Sequence, residues 1–482
     1  MDNSMEWRHQ VEQALRQQDW RGAETVCREV LGRNRVEAQA WVFLGEALEH
    51  QGQGPAAWRC FERAWILDPQ AAWVPRAINR LKDQQVGGIP LWLDDLLSVP
   101  PVRVVGAILA RDEAENIGRC IRALRPAVDS VVVVDTGSTD DTVAIAESEG
   151  AVVVQTDWED DFGRARRAAE TELGNTGWVL WVDADEFLDH EDIAVPRIVA
   201  GLFDGVRPDV LVRIGQVNYI GSSVQPNYDT TRMYPLGRGW TWRGRIHEQV
   251  VHVDSGQRPV AVRPAVRIRL NHWGYDAPAM ERRGKIERNV RLLEQWTADE
   301  PQNAAAWGFL GRDLYIGGHL ERAVAALSRA EVVSASDTSY GRLPEVRAVL
   351  CEALVRLHRL DEARAVAERM TTHHPEFPTG WYWRGQVALL QADERLKDAV
   401  AWSRQARALA PRYRGIVSVS TEVPHLLAVL TEADASKMQA RWSDALALYK
   451  ELNLKYPDHD GVKRQISWII EESRRIAQSN QT

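Results

Sequence analysis

The sequence predicts an α/β domain with a parallel sheet, flanked on both sides by all-α helical repeats. Three observations support this fold class. Short apolar runs alternate with helical patterns between residues 102 and 182. Large and small apolar residues recur at helical spacing before and after that region. Polar and acidic residues follow each predicted strand, so they should meet at one edge of the sheet.

Composition limits the class of protein. The chain has 482 residues, which predicts about three domains. Its hydrophobic fraction of 45% and charged fraction of 26% are typical of globular proteins. The net charge of −9, without a long basic run, argues against nucleic-acid binding and against a protein held on anionic lipid by charge.

The cysteines and the first residues bear on the compartment. The four cysteines lie far apart without a C-x-x-C spacing, which predicts reduced thiols in apolar positions: Cys27, Cys60, Cys120 and Cys351. We see no basic and apolar leader at the start and no run of about 18 apolar residues. The expectation is a cytoplasmic protein without a membrane span.

Residues 1–86 are predicted to form helical repeats. Trp41, Gly45, Ala57, Phe61 and Pro69 follow the large-and-small apolar pattern of the tetratricopeptide repeat, a helix–turn–helix of about 34 residues. The same pattern returns in residues 299–482, after a predicted connecting helix over residues 277–298. The repeats could serve only to bury a shared core, or they could form a groove for an extended peptide. The sequence leaves both interpretations open.

The central domain is predicted over residues 102–276, after a linker at residues 87–101 marked by glycines and prolines. Near-continuous apolar strands separated by helices indicate a parallel sheet covered on both faces. The predicted strands are 102–109, 131–134, 151–156 and 178–182, and the predicted helices are 116–124, 142–148 and 164–173.

Two carboxylates follow the fourth strand. Because side chains alternate along a strand, Asp183 and Asp185 are expected to aim the same way from one strand end. Paired carboxylate oxygens suit Mg²⁺ or Mn²⁺, which in turn bind a diphosphate. Glu186 is expected to point away, as a residue behind the site or at the surface.

Several motifs together resemble those of a family-2 glycosyltransferase with the GT-A, Rossmann-like fold. They are Ala110-Arg-Asp-Glu113, Val134-Asp-Thr-Gly-Ser-Thr-Asp-Asp-Thr142, Trp181-Val-Asp-Ala-Asp-Glu186, Trp242-Arg-Gly-Arg-Ile-His-Glu248 and Asn271-His-Trp-Gly-Tyr275. The later motifs are similar to those of a bacterial subgroup fused to tetratricopeptide repeats, which includes peptide S-glycosyltransferases of the sublancin type.

This resemblance implies roles for individual residues. Those expected to contact a uridine diphosphate sugar donor are Ala110, Arg111, Glu113, Asp135, Gly137, Ser138, Arg164, Arg166, Asp183 and Ala184. Asp135 would bind the base, although its loop could also be a helix cap formed by Ser138 or Thr139. Arg164 and Arg166 would contact the diphosphate, or form a solvated helix face.

The resemblance also implies a metal site and a catalytic base. Asp185 and His272 would hold Mn²⁺ or Mg²⁺. Glu248 would be the base, with His247 as the second candidate, unless Glu248 only forms a salt bridge with Arg243 or Arg245. The residues expected on the acceptor side are Trp242, Arg243 and Trp273.

The expected function is a metal-dependent, inverting transfer of a hexose or N-acetylhexosamine to a polypeptide, on Cys or Ser/Thr, with the repeats presenting the acceptor. A lipid or cell-envelope glycan acceptor is one alternative, and an inactive repeat scaffold is another. The sequence also leaves a homodimer open.

Overall fold

The computed structural model describes residues 3–71, 73–81, 88–220, 223–253, 261–272, 279–336, 340–391 and 396–479. The chain divides into two compact units, Met1–Ala277 and Pro278–Thr482. The predicted fold class is confirmed, because an α/β domain is combined with helical repeats. Within these ranges no helix has both the length and the apolarity needed to cross a bilayer.

The first unit begins with paired helices that pack around a shared apolar core. Gly45 shows why its position must be small, since a Cβ there would lie 2.9 Å from the ring of Phe61. The segment predicted as a linker contains one further helix. The bounds are α1 (Asn3–Arg16), α2 (Trp20–Arg33), α3 (Ala38–His50), α4 (Gly54–Leu67), α5 (Val74–Leu81) and α6 (Leu91–Leu97).

A mixed eight-stranded sheet follows, in the order β3-β2-β1-β4-β7-β6-β10-β5, with β8 and β9 forming a separate hairpin. The four predicted strands are β1 to β4, and they pair in parallel. The bounds are β1 (Val104–Ala110), β2 (Ser130–Asp135), β3 (Val152–Gln155), β4 (Trp178–Asp183), β5 (Glu186–Leu188), β6 (Val212–Ile220), β7 (Ser223–Pro235), β8 (Trp240–Arg243), β9 (Gln249–His252) and β10 (Ala265–His272).

Helices cover the sheet and complete its core. Strands β1, β2 and β4 are almost wholly buried, whereas β3 at the sheet edge is partly exposed. The predicted helix 164–173 is two short helices instead of one. The bounds are α7 (Ile117–Leu124), α8 (Thr142–Ser148), α9 (Phe162–Arg167), α10 (Glu170–Leu173) and α11 (Val195–Phe203).

The N-terminal helices are joined to this sheet through β10. The guanidinium carbon of Arg267 lies 4.0 Å from the ring centroid of Trp65 in α4. The fully buried Asp192 accepts hydrogen bonds from the Arg269 backbone and side chain. These contacts fix the strand whose last residue is His272, so the N-terminal repeats support one side of the candidate site.

The second unit is a stack of helical pairs. Gly311 again marks a close approach, because a Cβ there would lie 2.4 Å from the Leu327 side chain. The bounds are α12 (Ala279–Asp299), α13 (Ala304–Ile316), α14 (Leu320–Ser334), α15 (Leu343–Arg356), α16 (Leu360–His373), α17 (Pro378–Gln391), α18 (Leu396–Leu409), α19 (Ala428–Met438), α20 (Trp442–Lys455) and α21 (Asp460–Ser479).

Candidate active site

Hydrogen bonds connect the loop that follows β1 to the loop that follows β2. The Asp112 backbone N–H donates to Ser138 Oγ at 2.9 Å, and the Thr139 N–H donates to Asp112 Oδ1 at 2.7 Å. The Glu113 N–H donates to Thr142 Oγ1 at 2.7 Å. The carboxyl ends of two adjacent parallel strands therefore form one rigid polar edge, where ligands of such sheets bind.

The carboxylate of Asp135 organises its own loop. Its Oδ1 accepts from the N–H groups of Gly137 and Ser138, both at 3.1 Å, and its Oδ2 accepts from the Ser138 hydroxyl. The expected cap by Ser138 or Thr139 is wrong, because Asp140 Oδ1 accepts the Thr142 N–H at the start of α8. Contact of Asp135 with a nucleotide base stays a prediction.

Residues predicted after β1 occupy different environments. The buried Ala110 accepts at its carbonyl oxygen from the Thr136 N–H at 3.1 Å. Arg111 is half exposed, with its Nε 3.8 Å from Asp112 Oδ2. A role of Arg111 at a nucleotide or phosphate is untested and stays a prediction.

Asp183, the last residue of β4, lies between two arginines. Arg232 of β7 donates to Oδ1 at 2.8 Å and to Oδ2 at 2.6 Å, and Arg166 of α9 donates to Oδ1 at 2.8 Å. Burial works to raise the pKa of this carboxyl, but Arg232 and Arg166 hold it well below its usual range. The side chain is still 35% exposed, so an ionised carboxylate faces the sheet edge.

Arg166 also reaches the predicted base. Its Nε donates to Glu248 Oε1 at 2.8 Å, so one guanidinium bridges Asp183 and Glu248. The guanidinium carbon lies 4.9 Å and 4.8 Å from the ring centroids of Trp181 and Trp242. The salt bridge of Glu248 is therefore made to Arg166, and the sequence had not indicated this partner.

The two arginines that are predicted to contact the diphosphate differ in their exposure to solvent. Arg164 is exposed and pairs with Glu159 at 2.6 Å. Arg166 is only 2% exposed and already holds two carboxylates, so the predicted direct contact of Arg166 with a diphosphate does not fit this geometry.

The expectation that Asp183 and Asp185 extend from one strand is wrong. Strand β4 ends at Asp183, and Ala184 and Asp185 form a turn into β5, which lies at the far side of the sheet beside β10. The carboxylates consequently face different partners. Asp185 Oδ2 lies 3.1 Å from His272 Nε2.

Asp185 and His272 fit a divalent cation. Asp185 is 40% exposed, and His272 presents its second nitrogen, Nδ1, to Asn218 Oδ1 at 3.2 Å. An Nδ1–H donated to Asn218 leaves the Nε2 lone pair for a metal, which is the usual arrangement of metal-binding imidazoles. The described residues contain no cluster of three His, Cys, Asp or Glu that could hold a metal. Phosphate and water oxygens are further ligands that Mg²⁺ commonly uses.

Glu186 lies behind this turn and is buried. It accepts from the Asp183 backbone N–H at 2.9 Å and from Gln216 Nε2 at 2.5 Å. Burial and the neighbouring Asp183 raise the pKa of its carboxyl. Two positions were expected for Glu186. Its burial agrees with a position behind the site and excludes a position at the surface.

The loop that carries Glu248 packs closely on α9. The Phe162 and Gly163 N–H groups donate to the carbonyl oxygens of Arg245 and Gly244 at 2.9 and 3.0 Å. His247, the second candidate base, has the uncommon φ of 52°, as tight turns require.

The residues expected on the acceptor side lie in different environments. Trp242 is 2% exposed and packs edge-on against Trp181 and Tyr234, which does not favour direct contact with an acceptor. Arg243 is exposed, and Trp273 lies outside the described residues.

Comparison with known proteins finds relatives of both parts of the chain. The family model for glycosyl transferase family 2 matches residues 107–247, and the tetratricopeptide repeat model matches residues 10–72 and 350–413. A TPR repeat-containing protein of Synechococcus elongatus is 33% identical over 229 residues, covering 45% of this chain. The chain spans about half, 53%, of that relative's length.

A second relative carries an activity in its name. The SPbeta prophage-derived glycosyltransferase SunS of Bacillus subtilis is 23% identical over 291 residues, covering 60% of this chain and 67% of its own. Among solved structures, a tetratricopeptide repeat protein from Parabacteroides merdae aligns with a TM-score of 0.33 and 15% identity, over 41% of this chain and 71% of its own. The family match and the named relatives support a glycosyltransferase. The chain combines a glycosyl transferase family 2 domain with tetratricopeptide repeats.

Proposed function

We propose that the protein transfers a hexose or N-acetylhexosamine from a uridine diphosphate sugar to a polypeptide, with inversion at the anomeric carbon. The observation that carries this proposal is the bridge from Asp183 through Arg166 to Glu248. It brings the residue expected at the donor sugar and the residue expected to act as base into one connected group.

On the donor side, Asp183 is ionised and partly exposed, so it can accept hydrogen bonds from ribose or sugar hydroxyls. Asp185 and His272 would hold Mn²⁺ or Mg²⁺ against the diphosphate. Such a cation supplies positive charge that neutralises the departing nucleoside diphosphate.

On the acceptor side, Glu248 supplies the base. Its Oε1 accepts from Arg166, and its Oε2 has no hydrogen bond among the described residues. Oε2 can therefore take the proton from an acceptor hydroxyl or thiol as that atom attacks the anomeric carbon and the bond to the diphosphate breaks. The Glu248 side chain is 12% exposed.

The polypeptide acceptor rests on the tetratricopeptide repeats and on the likeness to the glycosyltransferase SunS. Stacked repeats offer extended surfaces that suit peptides. The C-terminal repeats are the proposed acceptor-binding part.

The test is a panel of nucleotide sugars incubated with the full chain, Mn²⁺ and a peptide library, with uridine diphosphate release and intact peptide mass as readouts. We expect one uridine diphosphate sugar to be consumed, and peptides to gain one hexose or N-acetylhexosamine mass. Glu248→Gln should bind donor normally and transfer about 10²–10⁴-fold more slowly.

Three results would contradict parts of the proposal. Transfer to lipid or glycan but never to peptide would replace the acceptor class. Full turnover in excess EDTA would remove the metal. Absence of both donor binding and turnover across the panel would favour an inactive scaffold.

A further inference from the structure

Among the described residues, the Arg166 side chain makes two polar contacts, and both are to residues of the proposed reaction. We propose that Arg166 is a positioning residue that fixes the Glu248 carboxylate for proton transfer and couples its position to that of the donor-binding Asp183. This inference rests on the proposed function, because it presumes that Glu248 acts as the base.

The guanidinium is held rigidly. It is 2% exposed, and the indoles of Trp181 and Trp242 lie within 5 Å of its carbon. Its Nη1 is buried without a hydrogen-bond partner among the described residues, so only Nε and Nη2 carry polar contacts. A group enclosed by aromatic rings and fixed at two of its three nitrogens has few alternative orientations.

Backbone hydrogen bonds hold the loop that carries Glu248 against helix α9. Gly163 N–H donates to the Gly244 carbonyl at 3.0 Å, and a Cβ on Gly163 would lie 2.9 Å from that same oxygen. Arg167 Nη1 donates to the Trp242 carbonyl at 2.6 Å. The loop therefore cannot shift without moving the helix that carries Arg166.

The geometry of the contact shows why arginine is needed. The planar guanidinium holds Nε and Nη2 at a fixed spacing. The two oxygen atoms that these nitrogens contact, Glu248 Oε1 and Asp183 Oδ1, are therefore held at a fixed distance from each other. Holding Oε1 leaves Oε2 to face an acceptor. A lysine can keep the positive charge, but it cannot bridge both carboxylates in a plane.

Several charged groups surround Glu248. Arg166 of α9 is its ion-pair partner, Arg232 of β7 and Asp183 of β4 lie behind that pair, and Arg245 and His247 belong to its own loop. Replacing Arg166 therefore removes the cation that contacts Glu248 Oε1.

The experiment compares Arg166→Lys and Arg166→Gln with the parent chain, using uridine diphosphate release from the best donor of the panel. Arg122→Gln is the control, since Arg122 is exposed on α7 and pairs with Glu149, away from both carboxylates. We measure kcat and the donor KM, and thermal unfolding checks that each variant is folded.

We expect Arg166→Lys to lose about 10²-fold in kcat, because misplacing a reacting group by about 1 Å costs that much. Its donor KM should change less than about threefold, since Arg232 still holds Asp183. Arg166→Gln should lose at least as much kcat, again with little change in the donor KM.

Equal losses in kcat and donor affinity in a folded Arg166→Lys or Arg166→Gln variant would overturn the positioning role while leaving the proposed function intact. If Arg166→Gln does not fold, parent-like kcat in Arg166→Lys would overturn the role. A parent enzyme that neither binds nor turns over any donor would instead overturn the proposed function, and this inference with it.

Discussion

Replacing Arg232 with methionine should destabilise the region around β4 and β7 by about 3 kcal/mol. Arg232 is 7% exposed and makes two charge-assisted hydrogen bonds to Asp183, at 2.6 and 2.8 Å. Breaking a buried ion pair typically costs about 3–5 kcal/mol. The lower end applies because Arg166 still pairs with Asp183 at 2.8 Å and methionine fills most of the space.

Native-state hydrogen exchange with mass spectrometry measures this effect locally. A loss of about 3 kcal/mol corresponds to roughly 10²-fold faster exchange in peptides that cover β4 and β7. Peptides from α13, in the other unit, serve as the internal reference and should not change.

The matched control is Arg197→Met. Arg197 donates to Asp129 at the same 2.8 Å, but both side chains are 41% exposed. An exposed pair contributes about 0–1 kcal/mol, so exchange should change less than about fivefold. Equal effects of Arg232→Met and Arg197→Met would refute the claim that Asp183 depends on a buried pair.

Two further predictions concern other parts of the chain. Gly163→Ala should destabilise the first unit by about 1–3 kcal/mol and lower kcat, because its Cβ would lie 2.9 Å from the Gly244 carbonyl; an unchanged melting temperature would contradict this. Glu331→Gln should lower the free energy of unfolding of the second unit by about 2 kcal/mol at pH 7. Burial works to raise the pKa of the Glu331 carboxyl, but Arg369 and Arg347 lower it. Because the pKa of Glu331 is lower in the folded state, its ionised carboxylate stabilises the fold at pH values above the unfolded-state pKa of about 4.3. This stabilisation is lost as the pH falls through the folded-state pKa. The difference in melting temperature between the parent chain and Glu331→Gln should therefore disappear in acid.

Sequence patterns predicted the first half of the sheet well because its strands are continuous apolar runs, three of them buried. Strand β2 is one run of four valines after Ser130, and β4 is apolar up to Asp183. Short apolar runs of this kind form buried strands when glycines and polar turns bound them. Strands β5 to β10 were not predicted, since they are short or mix polar with apolar residues, as β6 and β7 show.

The repeats were also readable from the sequence. Their small residues mark close helix contacts, and Gly45 and Gly311 both face a large side chain of the next helix. Such local spacing is preserved in the fold, so pattern and structure agree.

The site was only half predictable, because its key contacts join distant residues. Arg166 and Glu248 lie 82 positions apart, and Arg232 lies 49 positions from Asp183. Arg232 belongs to no motif, and nothing in a single sequence separates it from a surface arginine. The turn at Ala184 was missed because strand alternation was extended past the point where β4 ends.

The most direct test of the proposed site is a calorimetric titration of uridine diphosphate into the full chain. With Mn²⁺ present, the parent chain should bind one equivalent, and either EDTA or Asp185→Ala should weaken binding at least about tenfold, since the metal contact adds at least about 1.4 kcal/mol. Equal binding by the parent chain and Asp185→Ala, with and without EDTA, would contradict a metal-assisted diphosphate site at this edge of the sheet.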